Sequence, residues 1–163
     1  EHLLNGIVDF LYNKVTPEFI IFIISMIPIL ELRGGMIAAS LLGVNWKIAM
    51  IICILGNIIP VPFILLFVKK VFEFLKRTRF SKFIYKFEEK ADNKSKDILK
   101  YKKLGLFLFV AIPIPGTGAW TGSMIAALLG FKVKNAIVSI LLGIISAAII
   151  MSILSYGVLG FFI

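Results

Sequence analysis

Long apolar stretches without charge alternate with short polar ones along this chain. Three of them run from Ile48 to Val68, from Leu104 to Phe131 and from Asn135 to Ile163. A helix needs about 20 residues to cross a hydrocarbon core of about 30 Å, so each stretch is long enough to span a membrane. A fourth apolar segment, 17–44, carries two charges near its middle. The pattern predicts an all-α, polytopic membrane protein.

Two of these segments contain residues that interrupt a helix. In the first, Thr16, Pro17 and Glu18 predict a helix start, because they supply a capping hydroxyl, a proline at the first position and an early acid. That helix is predicted to run to about Leu30, and a second short helix to follow from Gly35 to Gly43.

Helix-breaking prolines mark both interruptions: Pro28 in the first, and Pro113 and Pro115 in the second, between Ile112 and Gly122. Because the arms, at about 15–20 Å, are too short to span, we interpret 17–44 and 104–131 as re-entrant hairpins. A hairpin returns to its own side and the following span crosses, so the second hairpin enters from the opposite side and the halves are inverted. Four continuous spans, with both termini cytoplasmic, are the alternative.

The two halves also repeat one another with a period of about 87 residues, which is typical of a duplicated transporter half. Ile27-Pro28 recurs as Ile114-Pro115, Met36–Ala39 as Met124–Ala127, Gly43 as Gly130, and Gly56 as Gly143.

These features predict a single membrane domain. An interfacial helix covers 1–16, the first repeat covers 17–68 (hairpin 17–44, span 46–68), a basic linker covers 69–103, and the second repeat covers 104–160 (hairpin 104–131, span 134–160).

The charge of the chain is concentrated in the linker. Of the net +9, the linker carries +8, from 13 basic and 5 acidic residues. The positive-inside rule places such a loop in the cytoplasm and the protein in the inner (cell) membrane. Within it, Phe80, Phe83, Ile84, Phe87 and Ala91 predict a basic amphipathic helix that lies on the anionic leaflet. Nucleic acid is therefore not an expected partner.

Composition and missing motifs exclude other classes of protein. Apolar residues make up 60% of the chain, so a soluble domain is excluded. One cysteine, Cys53, and one histidine, His2, supply neither a disulfide nor a metal-ligand set. No phosphate-binding G-x-x-x-x-G-K-[ST] motif is present. We expect no metal, no cofactor and no enzymatic activity.

The candidate chemistry lies at the two interruptions. Glu31 and Arg33 are the only charges between Glu18 and Lys47. Charges near the bilayer centre are costly and usually functional, so they predict a substrate or proton site. Low dielectric favours the neutral carboxyl of Glu31 and Arg33 favours the charged one, which makes Glu31 the predicted proton carrier. A purely structural role, with the charges bonding unwound backbone, is the alternative.

The second interruption has hydrogen-bond donors but no charge. Helix N-termini at both hairpin tips, each with about half a positive charge, would leave the centre near +1 and suited to an anion. Close packing of the crossed hairpins is the alternative explanation for the small residues. The predicted substrate-binding residues are Arg33, Gly34, Gly35, Gly116, Thr117, Gly118, Thr121, Gly122 and Ser123.

The glycine-proline pattern resembles the small multidrug export protein family, a branch similar to the DedA superfamily. The residues that carry the resemblance are Ile27-Pro28-x-x-Glu31, Gly43, Gly56, Tyr101–Gly105, Ile114-Pro115-Gly116, Gly130, Gly143 and Tyr156-Gly157. DedA relatives are implicated in moving undecaprenyl phosphate or other phospholipids with dependence on proton motive force. Their acidic residue in the first hairpin matches Glu31. Their arginines after the second Ile-Pro-Gly are unmatched, because Thr117 and residues 120–123 occupy those positions.

From the residues and the resemblance together we expect a proton-motive-force-dependent secondary transporter or flippase. Its expected cargo is an anionic, lipid-linked phosphate. Export of drugs in exchange for protons is the first alternative, and a membrane scaffold that transports nothing is the second. The expected partners are membrane lipids, the cargo and protons, with a homodimer as a further possibility.

Overall fold

The computed structural model describes residues 14–158, apart from the side chains of Phe72, Phe87, Glu88, Val158 and residues 90–100. The predicted interfacial helix at 1–16 therefore lies almost wholly outside the described residues. The described part is helical, without strands. Its helices are α1 (Pro17–Met26), α2 (Glu31–Leu41), α3 (Trp46–Ile58), α4 (Pro60–Lys76), α5 (Ser81–Ala111), α6 (Ala119–Leu128) and α7 (Val133–Ser152), followed by a π-helix (Ile153–Val158).

The first apolar segment is interrupted as predicted, but at a different place. Helix α1 begins where expected, and the Thr16 hydroxyl accepts from the Phe19 N–H at 3.3 Å. It ends at Met26 rather than at Leu30, because Pro28 lacks the N–H that would continue the helix. Helix α2 then begins at Glu31, four residues before the predicted start at Gly35. Residues 27–30, which we call the first break, are therefore shorter than predicted.

The second apolar segment is interrupted at residues 112–118, which we call the second break. The helix before it, α5, runs without interruption for 31 residues from Ser81 to Ala111. The predicted boundary at 103/104 is therefore not marked by an end of helix: the C-terminal part of the basic linker and the first arm of the second hairpin form one helix. After the break, α6 begins at Ala119.

Within residues 14–158, two helices are long and apolar enough to cross a membrane by length and composition, namely Trp46–Lys76 and Val133–Gly157. The first includes both α3 and α4, with an interruption at Ile59, directly before Pro60, where α4 begins. Their outer faces expose large apolar side chains to an extent that water-soluble domains avoid, including Phe63, Phe67, Leu142 and Ile149. The protein is therefore a membrane protein.

The helices pack as two groups of three that meet along the long helices. Helices α1, α2 and α3 contact one another, as do α5, α6 and α7. Helix α7 also contacts α2 and α3, and α4 contacts α6. Small residues allow these approaches: Ala39, Ala49, Ala126 and Ala136 are fully buried.

The turn that follows α2 has the same geometry as the turn that follows α6. Gly43 and Gly130 have φ angles of +71° and +72°. The next residue donates back to the helix in both cases: Val44 N–H to the Ala39 carbonyl and Phe131 N–H to the Ala126 carbonyl, each at 3.0 Å. These are the bonds of a Schellman motif, which needs a left-handed residue and so favours glycine. The matching bonds are 87 residues apart, the period expected from the sequence.

Candidate functional site

The buried carboxylate of Glu31 binds the N-terminus of α6. Its Oε2 accepts from the Ala119 N–H at 3.0 Å and its Oε1 from the Trp120 N–H at 3.1 Å. Glu31 is only 4% exposed. The first N–H groups of a helix have no partner within the helix and carry a partial positive charge, so a carboxylate there is favoured by hydrogen bonding and by the dipole. A residue of the first half thus caps a helix of the second half.

The guanidinium of Arg33 binds the C-terminal end of another helix, α5. Its Nη2 donates to the Ile112 carbonyl at 2.9 Å and to the Thr117 hydroxyl at 2.8 Å. Its Nη1 donates to the carbonyls of Ile114 and Thr117. Ile112 is the C-cap of α5, where carbonyls are left without helical partners and carry partial negative charge. Arg33 therefore adds a charged donor to the carbonyls of the second break, two of which also accept from backbone N–H groups of the break itself.

Glu31 and Arg33 together complement the two helix ends that meet at the second break. The acid lies at the positive end of α6 and the base at the negative end of α5. Because the two residues are separated by one position in the first turn of α2, a single turn of helix carries both groups. We call this set of hydrogen bonds the cross-break clamp.

The backbone that presents the clamp is strained. Ile29 has φ +79° and Glu31 has φ +48°, both in the left-handed region. Non-glycine residues there cost on the order of 1–2 kcal/mol each, and the strain is greatest for a β-branched residue such as Ile29. Strain of this kind persists only where surrounding contacts hold it, and it clusters at functional sites. In this protein, the bonds of Glu31 and Arg33 to the second break supply such contacts.

Gly118 provides the space for the Glu31 carboxylate. Its φ of +136° and ψ of −170° lie in a region that is almost restricted to glycine. A Cβ built on Gly118 would overlap Oε2 of Glu31. Any side chain at 118 is therefore incompatible with the clamp as it stands.

An apolar groove of about 610 Å³ opens beside the clamp. It lies between the two breaks, one face of α2 and the C-terminal end of α7. Among the described residues that line it, Arg33 is the only charged one. The groove is lined by Ile29, Leu30, Arg33, Gly34, Ile37, Pro113, Pro115, Met151, Leu154 and Ser155.

The structure brings some of the predicted site residues together and separates others. Arg33, Gly34, Pro113 and Pro115 line the groove, and Thr117 and Gly118 contact the clamp. Gly116, with φ +84°, faces open space, and Thr121 is half-buried on α6.

Three predicted site residues lie in helix contacts. A Cβ on Gly35 would overlap the Ser25 hydroxyl, and one on Gly122 would lie 2.8 Å from a methyl of Val110. Ser123 is buried and donates to the Ala119 carbonyl within its own helix. Close packing, the alternative explanation for the small residues, describes these positions.

The predicted excess of about one positive charge at the centre does not hold for this geometry. That estimate counted only the helix N-termini, whereas each break also contains the C-terminus of the preceding helix. At the second break, the Glu31 carboxylate offsets the positive end of α6, and the charge of Arg33 is offset by the C-cap carbonyl of α5 and by the carbonyls of Ile114 and Thr117. With Glu31 ionised, opposite charges therefore balance at this break.

Several groups of the site were not predicted from the sequence. Most of them are backbone groups, which the sequence cannot single out because nearly every residue carries them. They are the amides of Ala119 and Trp120 and the carbonyls of Ile112 and Ile114. Trp120 also donates from its indole N–H to the Met26 carbonyl at 3.1 Å. Ser155 was detectable as a polar residue within an apolar span. Among the described residues, no cluster of three or more His, Cys, Asp and Glu could hold a metal ion.

Comparison with known proteins identifies the family of the chain. A family model described as "Putative small multi-drug export protein" matches residues 31–150, which is well over half of the sequence. The chain belongs to this family. No curated protein and no solved structure matches it. The match begins at Glu31 and covers both members of the clamp and the whole second break.

Proposed function

We propose that the protein is a proton-motive-force-dependent secondary transporter of anionic cargo, with a lipid-linked phosphate as the preferred class. The observation that carries this proposal is the bond between the Glu31 carboxylate and the N-terminus of α6. That end of the helix binds an anion, and the anion there is a group that can be neutralised by a proton. Membership of an export family supports transport as the activity.

The proposed membrane arrangement is an inverted repeat of two re-entrant hairpins and two spans. Helices α1 and α2 have 10 and 11 residues, about 15 Å each, which is half of a hydrocarbon core. The matching turns at Gly43 and Gly130 support a duplication. The positive-inside rule then places the 69–103 linker in the cytoplasm of a cell whose inner membrane holds the protein.

In the proposed mechanism, protonation of Glu31 exchanges one anion for another. A neutral carboxyl accepts more weakly from the amides of Ala119 and Trp120, so it leaves the end of α6. An anionic group of the cargo then takes its place, next to Arg33. Proton and anion therefore load together from one side, and rocking of one half against the other would expose both to the opposite side.

The groove supports a cargo with both an anionic and an apolar part. Its walls are apolar on both sides, while Arg33 supplies a positive charge at the breaks. A lipid-linked phosphate has this combination of parts.

Export of apolar cationic drugs in exchange for protons is the second candidate. The family description and the apolar walls of the groove favour it. A cation site needs an acid, but Glu31 does not line the groove, and its carboxylate faces the end of α6. A scaffold without transport activity is the third candidate, in which the clamp only holds the two halves together.

Flux through purified protein in liposomes tests the proposal. Vesicles with an imposed pH gradient are supplied with a polyprenyl phosphate or with ethidium, with native protein and with Glu31→Gln. Proton-dependent flux of the phosphate by the native protein alone supports the proposal. If only ethidium is transported, the result favours drug export. If neither compound is transported, it favours the scaffold.

A further inference from the structure

Ser155 has a buried hydroxyl that lacks a partner among the described residues. The residue is only 2% exposed, yet it lines the apolar groove. A hydroxyl without a partner in an apolar surrounding costs roughly 1–3 kcal/mol, so such groups are usually satisfied. This hydroxyl therefore needs an explanation.

The π-helix provides the structural cause. Ser25, Ser123 and Ser152 each donate to the carbonyl four residues earlier, which is how serines in apolar helices are normally satisfied. Ser155 lies in the π-helix, whose carbonyls pair with the fifth residue onward, so this local solution is not used there. Single π-turns of this kind are frequent at functional sites.

Two hydrogen bonds hold the π-helix against the far end of α2. The Ser40 hydroxyl donates to the Ser155 carbonyl at 2.9 Å, and the Tyr156 hydroxyl donates to the Val44 carbonyl at 2.7 Å. The carbonyl of Ser155 is thus satisfied while its hydroxyl is not. These two hydrogen bonds hold Ser155 beside Ser40.

The groove therefore has a polar group at each end. Arg33 is at the breaks, and Ser155 is beside Ser40, which is seven residues further along α2. Seven residues of α-helix span about 10 Å. Between them, Ile37, Met151 and Leu154 provide apolar walls.

We propose that the groove binds its ligand at two points, with an anionic group at Arg33 and a hydroxyl or other hydrogen-bonding group, about 10 Å away, at Ser155, whose buried hydroxyl would rotate toward the groove to meet it. The class of ligand is an amphiphilic anion with a second polar group on its apolar part. Ser155 is then a specificity-determining residue. This inference rests on the proposed function, because it assigns the groove to the cargo.

A pair of matched ligands tests the second contact. Binding of decyl phosphate and of its ω-hydroxy derivative is measured by calorimetry on the purified protein in nanodiscs at acidic pH, with empty nanodiscs as the blank. A new hydrogen bond contributes about 0.5–1.5 kcal/mol, so the hydroxyl should tighten binding about 2- to 10-fold in the native protein. In Ser155→Ala this advantage should disappear. Ser152→Ala should keep it, because the hydroxyl of Ser152 is already bonded to the Ala148 carbonyl.

The outcomes distinguish this inference from the proposed function. If decyl phosphate binds but its hydroxyl derivative binds no better, or if the gain survives in Ser155→Ala, the inference is overturned and anion binding stands. If neither phosphate binds to the native protein, both proposals are overturned.

Discussion

Glu31 and Arg33 are separated by a single residue of α2, yet they bind the ends of two different helices of the other half. The carboxylate accepts from the first amides of α6, and the guanidinium donates to the C-cap carbonyl of α5, at Ile112, and to carbonyls of the second break. The position of the second break relative to the first therefore depends on two side chains. Each of them can be changed separately.

Glu31→Gln should separate cargo binding from proton use. The amide stays neutral at every pH, and it places an N–H₂ group near the amides of Ala119 and Trp120. We expect anionic cargo to bind at least as tightly as in the native protein, without the increase in affinity that the native protein shows as pH falls. Transport driven by a proton gradient should be lost. Binding isotherms across a pH series, together with liposome flux, measure both effects.

Glu18→Gln is the matched control, because this exposed acid at the start of α1 contacts neither break. Its binding and flux should equal those of the native protein. Native pH dependence and coupled transport in Glu31→Gln would show that Glu31 only joins the two halves. A collapse of cargo binding in that variant would instead favour the cation exporter.

Arg33→Ala should abolish transport, and Arg33→Lys should retain part of it. Alanine removes the charged donor of the carbonyls of Ile112, Ile114 and Thr117. The first two carbonyls keep a backbone donor each, so only the Thr117 carbonyl loses its donor, at a cost of roughly 1–3 kcal/mol. Lysine keeps the charge but lacks the planar fork that reaches several acceptors at once. The melting temperature in detergent and the flux in liposomes should both be highest for the native protein, lower for Arg33→Lys and lowest for Arg33→Ala. Equal cargo affinity in all three proteins would leave Arg33 with a structural role only.

Gly118→Ala should release the clamp through steric exclusion. The new Cβ would occupy the place of the Glu31 carboxylate, so the carboxylate must move away from α6. We expect the melting temperature and proton-coupled flux to fall, and Gly118→Val to be more severe. Gly116→Ala is the control, because its φ is also positive but its Cβ meets open space. Equal losses in the two alanine variants would assign the effect to backbone strain rather than to the displacement of Glu31.

Alanine substitutions at three glycines that contact neither break should have different effects on the free energy of unfolding. A Cβ on Gly56 would lie 2.7 Å from the Phe22 carbonyl oxygen, and one on Gly143 would lie 2.7 Å from Cβ of Val110. Alanine at either position should destabilise by about 1–3 kcal/mol through overpacking. Gly105, in the exposed part of α5, has no neighbour within 4 Å, so Gly105→Ala should stabilise by about 0.5–1 kcal/mol. Urea unfolding in micelles measures the differences, and a destabilised Gly105→Ala would contradict this packing.

The orientation of the linker is tested by cysteine labelling. Cysteine at Ser81 or Ser95 should react with an impermeant maleimide only in inside-out vesicles, because the linker carries +8. Glu18→Cys, at the exposed start of α1, should react in intact cells. The native Cys53 is fully buried and contributes little background. Labelling of Ser81→Cys and Ser95→Cys in intact cells would reverse the proposed topology.

The sequence was informative about the helices because their signals are local. Pro28 and Pro115 marked the two breaks, and Gly43 and Gly130 marked the two helix ends. The start of α2 was predicted at Gly35, whereas the helix begins four residues earlier, at Glu31. In the structure, Gly35 allows α2 to approach α1 and α3 closely, and it lies within the helix.

The arrangement of the site could not be read from the sequence, because its partners are distant backbone groups. Ala119 is 88 residues from Glu31, and the amide that it donates would be the same for almost any residue type. A single sequence identifies the two charged residues and indicates that charges in a membrane are costly, but it does not show which groups they contact. The unsatisfied hydroxyl of Ser155 likewise depends on a π-turn that no residue pattern specified.

The uninterrupted helix α5 has a mechanical consequence. Its 31 residues form a rod of about 46 Å that joins the basic linker to the carbonyls that Arg33 holds. A tilt of about 5° at one end of such a rod displaces the other end by about 4 Å, which is more than a hydrogen bond tolerates. Forces that act on the linker at the membrane surface, including attraction to anionic headgroups, would therefore reach the clamp without any intervening joint.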